Sequence, residues 1–202
     1  MNDPTPDHSN KFAVWIGRVL HPYILPLPTT LIMLNDLPIL NALGWMALTT
    51  SLILLPSLAF VTYIRRKGGE LYRRRTRGPI YIFGWLCVLL CLVVISLLGA
   101  PPVLIASVGA LAVWVPLQWA INTWVTKISG HAAVAAGCFV TLLVLGKLNP
   151  PIVLIGVVAL VVFASWARIV TRNHSLTQVM LGILVGALPI LVVFPLMRVI
   201  PF

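Results

Sequence analysis

Ser129, Gly130 and His131 follow Lys127 at the start of an apolar run, and Arg168 and His174 lie between two later ones. These residue types in this order suit an anion. A serine just before a helix caps it, and the free amides behind that cap form an anion cradle. Glycine lets the backbone approach such an anion closely. Arginine presents a planar fork to phosphate oxygens, and a neutral imidazole can attack phosphorus or transfer a proton. Two histidines with several cations and no metal ligands point to one chemistry. One imidazole attacks the phosphorus of a phosphomonoester or diphosphate while the cations neutralise its equatorial oxygens. The second protonates the leaving oxygen, and water then hydrolyses the phosphohistidine. Uncatalysed phosphate-monoester hydrolysis is so slow that enzymes reach accelerations of ~10²¹, and charge stabilisation supplies much of that.

Other polar residues fit around this pair. Gln178 falls four residues after His174, on one helical face if a helix starts near Ser175. Its amide oxygen can accept the other ring N–H of His174 and fix the tautomer; packing against a neighbouring helix is the alternative role. Upstream, residues 65–77 form a basic run. As a helix it would put Lys67, Glu70, Arg74 and Arg77 on one face, three cations able to clamp a phosphate, with Arg65, Arg66, Arg73 and Arg75 turned to headgroups. Gly68 and Gly69 oppose a helix there. Lys11, Arg18 and Arg198 read as interfacial anchors whose stems lie along apolar surface.

The acid count narrows the field. The only carboxylate side chains belong to Asp3, Asp7, Asp36 and Glu70, too scattered for an aspartate-bound magnesium or a paired-carboxylate hydrolase. The expectation is therefore no metal and no cofactor. The net charge of +10 points to an anionic ligand or anionic headgroups, with membrane lipids rather than nucleic acid as partners. Cys87, Cys91 and Cys138 all sit in apolar runs and read as small packing residues.

Elements that hold such a site must cross a bilayer. Only 9% of the 202 residues are charged and 60% are hydrophobic, against about 25% charged in soluble domains. An integral membrane protein follows. Charge in hydrocarbon costs about 3 kcal/mol per residue at a span centre, so polar clusters belong at the ends of spans. Residues 1–10 are polar and lack the pattern of a secretory signal. Residues 12–34 are apolar but interrupted by Arg18, His21, Pro22, Pro26 and Pro28, which suggests an interfacial helix followed by a short or re-entrant span. Runs 43–64, 80–98, 103–124, 130–145, 151–166 and 176–199 come next, most near the ~20 residues a crossing needs. Two spans separate each polar loop from the next, which puts residues 65–77, 127–131 and 168–174 on one membrane face. The expected fold is all-α, a polytopic membrane bundle with a six-helix core at 43–202 and an N-terminal interfacial or short extra helix within 1–42. Small residues from Gly130 to Gly137, and Gly182 with Gly186, suit close helix packing.

The constellation resembles the phosphatidic acid phosphatase type 2 family of membrane lipid phosphatases. That family carries K-x6-R-P, P-S-G-H and S-R-x5-H-x3-D. Lys67-x6-Arg74 resembles the first, with Arg75 in place of proline and Arg77 before Pro79 as a competing register. Ile128-Ser129-Gly130-His131 resembles the second and Ala167-Arg168-x5-His174-x3-Gln178 the third, with Gln178 in place of aspartate. The resemblance covers roughly residues 43–199. It implies His174 as nucleophile and His131 as general acid, with Lys67, Arg74, Ser129, Gly130 and Arg168 holding the phosphate. Lys127 and Arg77 join them as candidate phosphate ligands.

The leading reading is a metal-independent phosphatase acting on a phosphatidate-like or polyprenyl phosphate or diphosphate. The alternatives are a phosphotransferase using the same histidine and a non-catalytic binder of anionic lipid. Charge also speaks to sidedness. Ten Lys and Arg side chains fall in the three loops on the polar face, against Lys147 and Arg198 opposite. The positive-inside rule then expects the site in the cytoplasm, in a multi-pass protein of the cytoplasmic membrane.

Overall fold

The computed structural model describes residue 7, residues 9–68 and residues 78–200. Among the described residues every regular element is helical. Five helices are long and apolar enough to cross a membrane, and the protein is a multi-pass helical bundle.

The chain enters along the end of the bundle that carries the histidines. Helix α1 (Lys11–Val19) starts where the Asn10 side chain accepts the Ala13 amide at 2.9 Å. Ala13, Ile16 and Leu20 turn inward and pack with Ala135, Ala164 and Ala167. Phe12 and Trp15 stay exposed, Phe12 contacting Trp166 with ring centroids 5.9 Å apart. The helix therefore has one buried and one exposed face. Helix α2 (Pro26–Met33) then runs away from that end. Met33 meets Ser107, and the following Asn35 and Asp36 both bind Lys147 Nζ at 2.6 Å. Residues 21–36 therefore traverse the bundle in one direction and do not turn back on themselves, which removes the re-entrant option.

Helices α3 (Ile39–Thr49) and α4 (Leu55–Arg66) are one rod of 28 residues, Ile39–Arg66, joined by a π turn at Thr50–Leu54. Pro56 supplies the cause. Its ring lacks an N–H and crowds the carbonyl four residues back, and a widened turn just before it absorbs the conflict. The rod begins four residues earlier than the expected 43–64. It ends at Arg66, with Lys67 and Gly68 in a turn and Gly68 at φ 77°. The helical face proposed to continue from Lys67 through Glu70 is thus broken at its first residue. Arg74 and Arg77 lie outside the described residues.

Helices α5 (Gly78–Leu97), α6 (Pro102–Trp124), α7 (Gly130–Val144), α8 (Pro151–Val170) and α9 (Leu176–Leu196) complete the bundle. The far-end reversals share one design. Gly99 and Gly146 adopt φ 70° and 66° after their helices. The Ala100 amide reaches back to Ile95 and that of Lys147 to Leu142, each at 2.9 Å. Left-handed glycine closure of this kind satisfies the last carbonyls, and a proline then opens the next helix.

Helix α7 departs from expectation. It has 15 residues, a length of ~22 Å against a hydrocarbon core of ~30 Å. Five described helices reach span length, where six were expected. The short helix is internal, burying Ala132, Ala133, Ala135 and Ala136. Helix α9 presses against it through glycines. A methyl on Gly182 would lie 2.6 Å from the Ser129 carbonyl, and one on Gly186 would collide with the Ala133 carbonyl. Gly182 and Gly186 are there because nothing larger fits. Cys87 and Cys91 are buried packing residues, and all three cysteines are free thiols.

Candidate active site

Two loops and two helix starts assemble the centre. Ser129 caps α7, its Oγ accepting the Ala132 amide at 3.3 Å, and the side chain is fully buried. Its own amide donates to the Gln178 carbonyl at 3.2 Å, which ties the start of α7 to the start of α9. Lys127 is buried two residues earlier, at 6% exposure.

On the other loop, the amides of Asn173 and His174 both donate to the Arg168 carbonyl, at 3.1 and 3.2 Å. That closure is the reason five residues separate Arg168 from His174. The Thr171 hydroxyl donates to Ala167 and accepts from Asn173 Nδ2, each at 2.6 Å. Arg172 takes a left-handed φ of 51° and points out, while Asn173 and His174 are buried.

His174 is held by Gln178. Its Nδ1 lies 3.3 Å from Gln178 Oε1, which also accepts the Ser175 amide at 3.2 Å. Because a backbone N–H can only donate, the Gln178 atom there is oxygen, and His174 Nδ1 must carry a proton to share it. The lone pair of the neutral ring is then on Nε2. Gln178 completes a capping box with Ser175 and donates through Nε2 to Thr126 Oγ1 at 3.4 Å. One side chain thus caps α9, orients the histidine and reaches the loop before α7.

Burial, then the charges of Arg168 and His21, push the pKa of the His131 imidazole down to about 3, with His174 also in electrostatic reach. His131 also meets a residue the sequence reading used only as an interruption. His21, between α1 and α2, packs edge-on against His131 with ring centroids 5.3 Å apart at 83°. The His131 ring hydrogen-bonds the backbone of Gly17. A methyl on Gly17 would stand 3.3 Å from Arg168 Nη1. Burial, then the charges of Arg168 and Arg65, hold the His21 imidazole below its ordinary pKa.

Lys67 is not drawn into this cluster. It is exposed beyond α4, its ammonium 4.9 Å from the centre of the Tyr63 ring. Arg65, assigned to headgroups by the sequence reading, acts electrostatically on His21 and Tyr23 instead. A second correction concerns the acids. Asp36 is at the far end, but the Asp7 amide donates to the Thr171 carbonyl at 2.9 Å. One carboxylate-bearing residue therefore lies over the Arg168–His174 loop.

A polar network missed from sequence flanks Gly130. Tyr81 Oη accepts from Asn122 Nδ2 at 2.6 Å and Gln118 Nε2 at 3.2 Å, and Asn122 Oδ1 accepts the Ile128 amide. Two amides four apart within an otherwise apolar helix were the available signal, since intramembrane polar residues usually face a bundle interior. A cavity of about 410 Å³ opens beside these groups, with His21, Tyr23, Gln118 and Gly130 at its polar end. It extends to Leu104, Thr141 and Ile190. Fourteen residues of α6 separate Gln118 from Leu104, a depth of ~21 Å at 1.5 Å per residue.

Comparison with curated proteins and with solved structures gives no match. The family model described as PAP2 superfamily matches residues 100–200, which takes in α6 to α9, the Ser129–His131 cap and the Arg168–His174 loop but not α1 to α5. Members of that superfamily are generally phosphatases acting on phosphate esters. With half of its length matched, including both histidine motifs, this chain belongs to the PAP2 superfamily.

Proposed function

We propose that this protein is an integral membrane phosphatase that hydrolyses the phosphate ester of a lipid through a phosphohistidine on His174. The observation that carries the lipid reading is the apolar cavity of about 410 Å³ lined at one end by Gly130 and by His21, whose ring packs on His131. Pockets that hold apolar ligands occupy ~300–1,000 Å³ and fix them with a few polar groups at one end. A hydrocarbon tail lying along α6 and α7 leaves its phosphate beside Gly130 and His131. The Thr29, Thr49 and Ser107 hydroxyls that border the cavity donate to helix carbonyls three or four residues back, so the wall offers few donors to a sugar or other polar group.

The steps follow from the hydrogen bonds. His174 Nε2 carries the lone pair and attacks phosphorus, forming the P–N bond as the P–O bond to the lipid breaks. Gln178 Oε1 accepts the hydrogen bond from Nδ1–H throughout and so favours the ring as it gains positive charge. The leaving alkoxide takes its proton from His131, which has first accepted it from the phosphate monoanion. Arg168, Lys127 and the amides behind Ser129 neutralise the phosphoryl oxygens, the largest contribution such sites make. Water then attacks phosphorus, gives a proton to His131 and releases phosphate, which returns both rings to their starting state.

Phosphate release from a panel of phosphatidate-like and polyprenyl phosphates, in detergent with EDTA, tests the proposal. The expected outcome is metal-independent turnover of lipid phosphates well above that of water-soluble sugar phosphates. His174→Ala should abolish turnover together with an acid-labile phosphoenzyme. Preference for a sugar phosphate, or a requirement for added magnesium, would sink it.

A further inference from the structure

The segment before α2 lies outside the matched region, yet it reaches the centre at three points. Gly17 hydrogen-bonds the His131 ring and packs against Arg168, and His21 lies edge-on to His131 at 5.3 Å. Helix α1 is anchored for this task by Ala13 and Ile16 against Ala164 and Ala167 of α8, the helix that carries Arg168. We infer that His21 is a positioning residue for His131: with the Gly17 backbone it holds the ring that protonates the leaving oxygen. The inference rests on the reading of His131 as that acid.

Two contacts from one segment constrain the imidazole in different ways. The backbone of Gly17 meets the ring on one side. The His21 ring blocks rotation about the remaining axis. His21 is itself fixed, because its Nδ1 accepts the Tyr23 amide at 3.3 Å and its ring packs on Tyr23 at 5.0 Å. Accepting at Nδ1 places the neutral proton on Nε2.

The charge state of His21 matters as much as its shape. The groups acting on it are Arg168 from α8, Arg65 from α4, His131 from α7 and Tyr23 from its own segment. Burial and the two arginines lower its pKa, so the ring is neutral at pH 7. A proton added at Nδ1 would also displace the Tyr23 amide. As pH falls through the lowered value, His21 gains a charge beside Arg168 and Arg65 that loosens the segment. An unfolded His21 binds its proton near ~6.5, so this group removes stability as pH drops from there toward the folded value.

The test compares two substrates that differ in need of an acid: a long-chain alkyl phosphate and 4-nitrophenyl phosphate. For His21→Ala the expected result is kcat about tenfold lower on the alkyl ester, KM within about twofold, and a much smaller loss on the aryl ester, consistent with a general-acid contribution of ~10²–10⁴ that is only partly forfeited. His21→Phe keeps a ring but cannot titrate. It should recover most alkyl turnover at neutral pH and move the acid limb of kcat to lower pH. Equal losses on both esters, or a change confined to KM, would overturn the inference, as would an unmoved acid limb in His21→Phe. Absence of turnover in the parent protein on both esters would instead overturn the phosphatase reading, and this inference with it.

Discussion

The pairing of His174 with Gln178 shows how much one hydrogen bond decides. A superfamily aspartate at this position would hold the imidazole and stabilise its positive charge; an amide holds it without the charge. The geometry is intact, with Oε1 fixed by the Ser175 amide and the ring proton on Nδ1. Gln178→Ala is expected to lower kcat ~10–100-fold, the size of other outer-shell orienting effects, with little change in KM because orientation matters at the transition state. Gln178→Glu has the same reach, keeps the capping box and adds the missing charge. It should match or exceed the parent in kcat. Steady-state kinetics on one lipid phosphate distinguish these outcomes, and full activity in the alanine variant would reduce Gln178 to a capping role. The pair was readable from sequence because its partners are only four residues apart, across the start of α9. His21 was not, since its partner is 110 positions away and only tertiary packing of α1 on α8 brings them together. Tyr81 with Gln118 and Asn122 failed to register for the same reason.

At the scale of elements, the site depends on how closely α7 and α9 approach. Ser129 and Gln178 share a backbone hydrogen bond, and one turn of α9 further on, Gly182 faces the Ser129 carbonyl with no room for a methyl. Gly186→Ala should therefore push α9 off α7 at Ala133, an overpacking cost of ~1–3 kcal/mol. Gly156→Ala meets open space and should be neutral or stabilising, as alanine in a helix usually is by ~0.5–1 kcal/mol. Thermal unfolding in detergent should show a lowered midpoint for the first and none for the second, with turnover falling alongside. An unchanged midpoint in Gly186→Ala would mean that the contact yields cheaply. Element boundaries were legible where local chemistry sets them, as at Gly99 and Gly146 followed by proline. They were misread where the cause is not local. The run at 130–145 has the composition of a span, but α7 stops at Val144 and is enclosed by other helices. The π turn before Pro56 left no hydrophobic-period signal.

For the whole molecule, the open matter is which side of the membrane the site faces. The sequence separates charge by loop. Ten basic residues lie between Arg65 and Arg77, at Lys127, and at Arg168 and Arg172. The structure adds Lys11 and Arg18, because α1 lies at the same end through Gly17 and the Asp7–Thr171 bond. Twelve cations thus stand against Lys147 and Arg198, and Lys147 is ion-paired with Asp36. Leaving out Lys67, Arg74, Lys127, Arg168 and Arg172, the cations in or beside the sequence motifs, gives 12 − 5 = 7 against 2. The positive-inside rule weighs loops near span ends in this way, and it predicts a site that faces the cytoplasm. Val125 is 68% exposed at the site end, and Asn149 is exposed at the far end. With Cys87, Cys91 and Cys138 replaced by alanine, Val125→Cys and Asn149→Cys report the two faces to a membrane-impermeant maleimide. Asn149→Cys should label in intact cells and Val125→Cys only after lysis. The reverse pattern would put the histidines outside. The basic end would then be explained by anion binding and headgroup contact, with topology set by some other part of the chain.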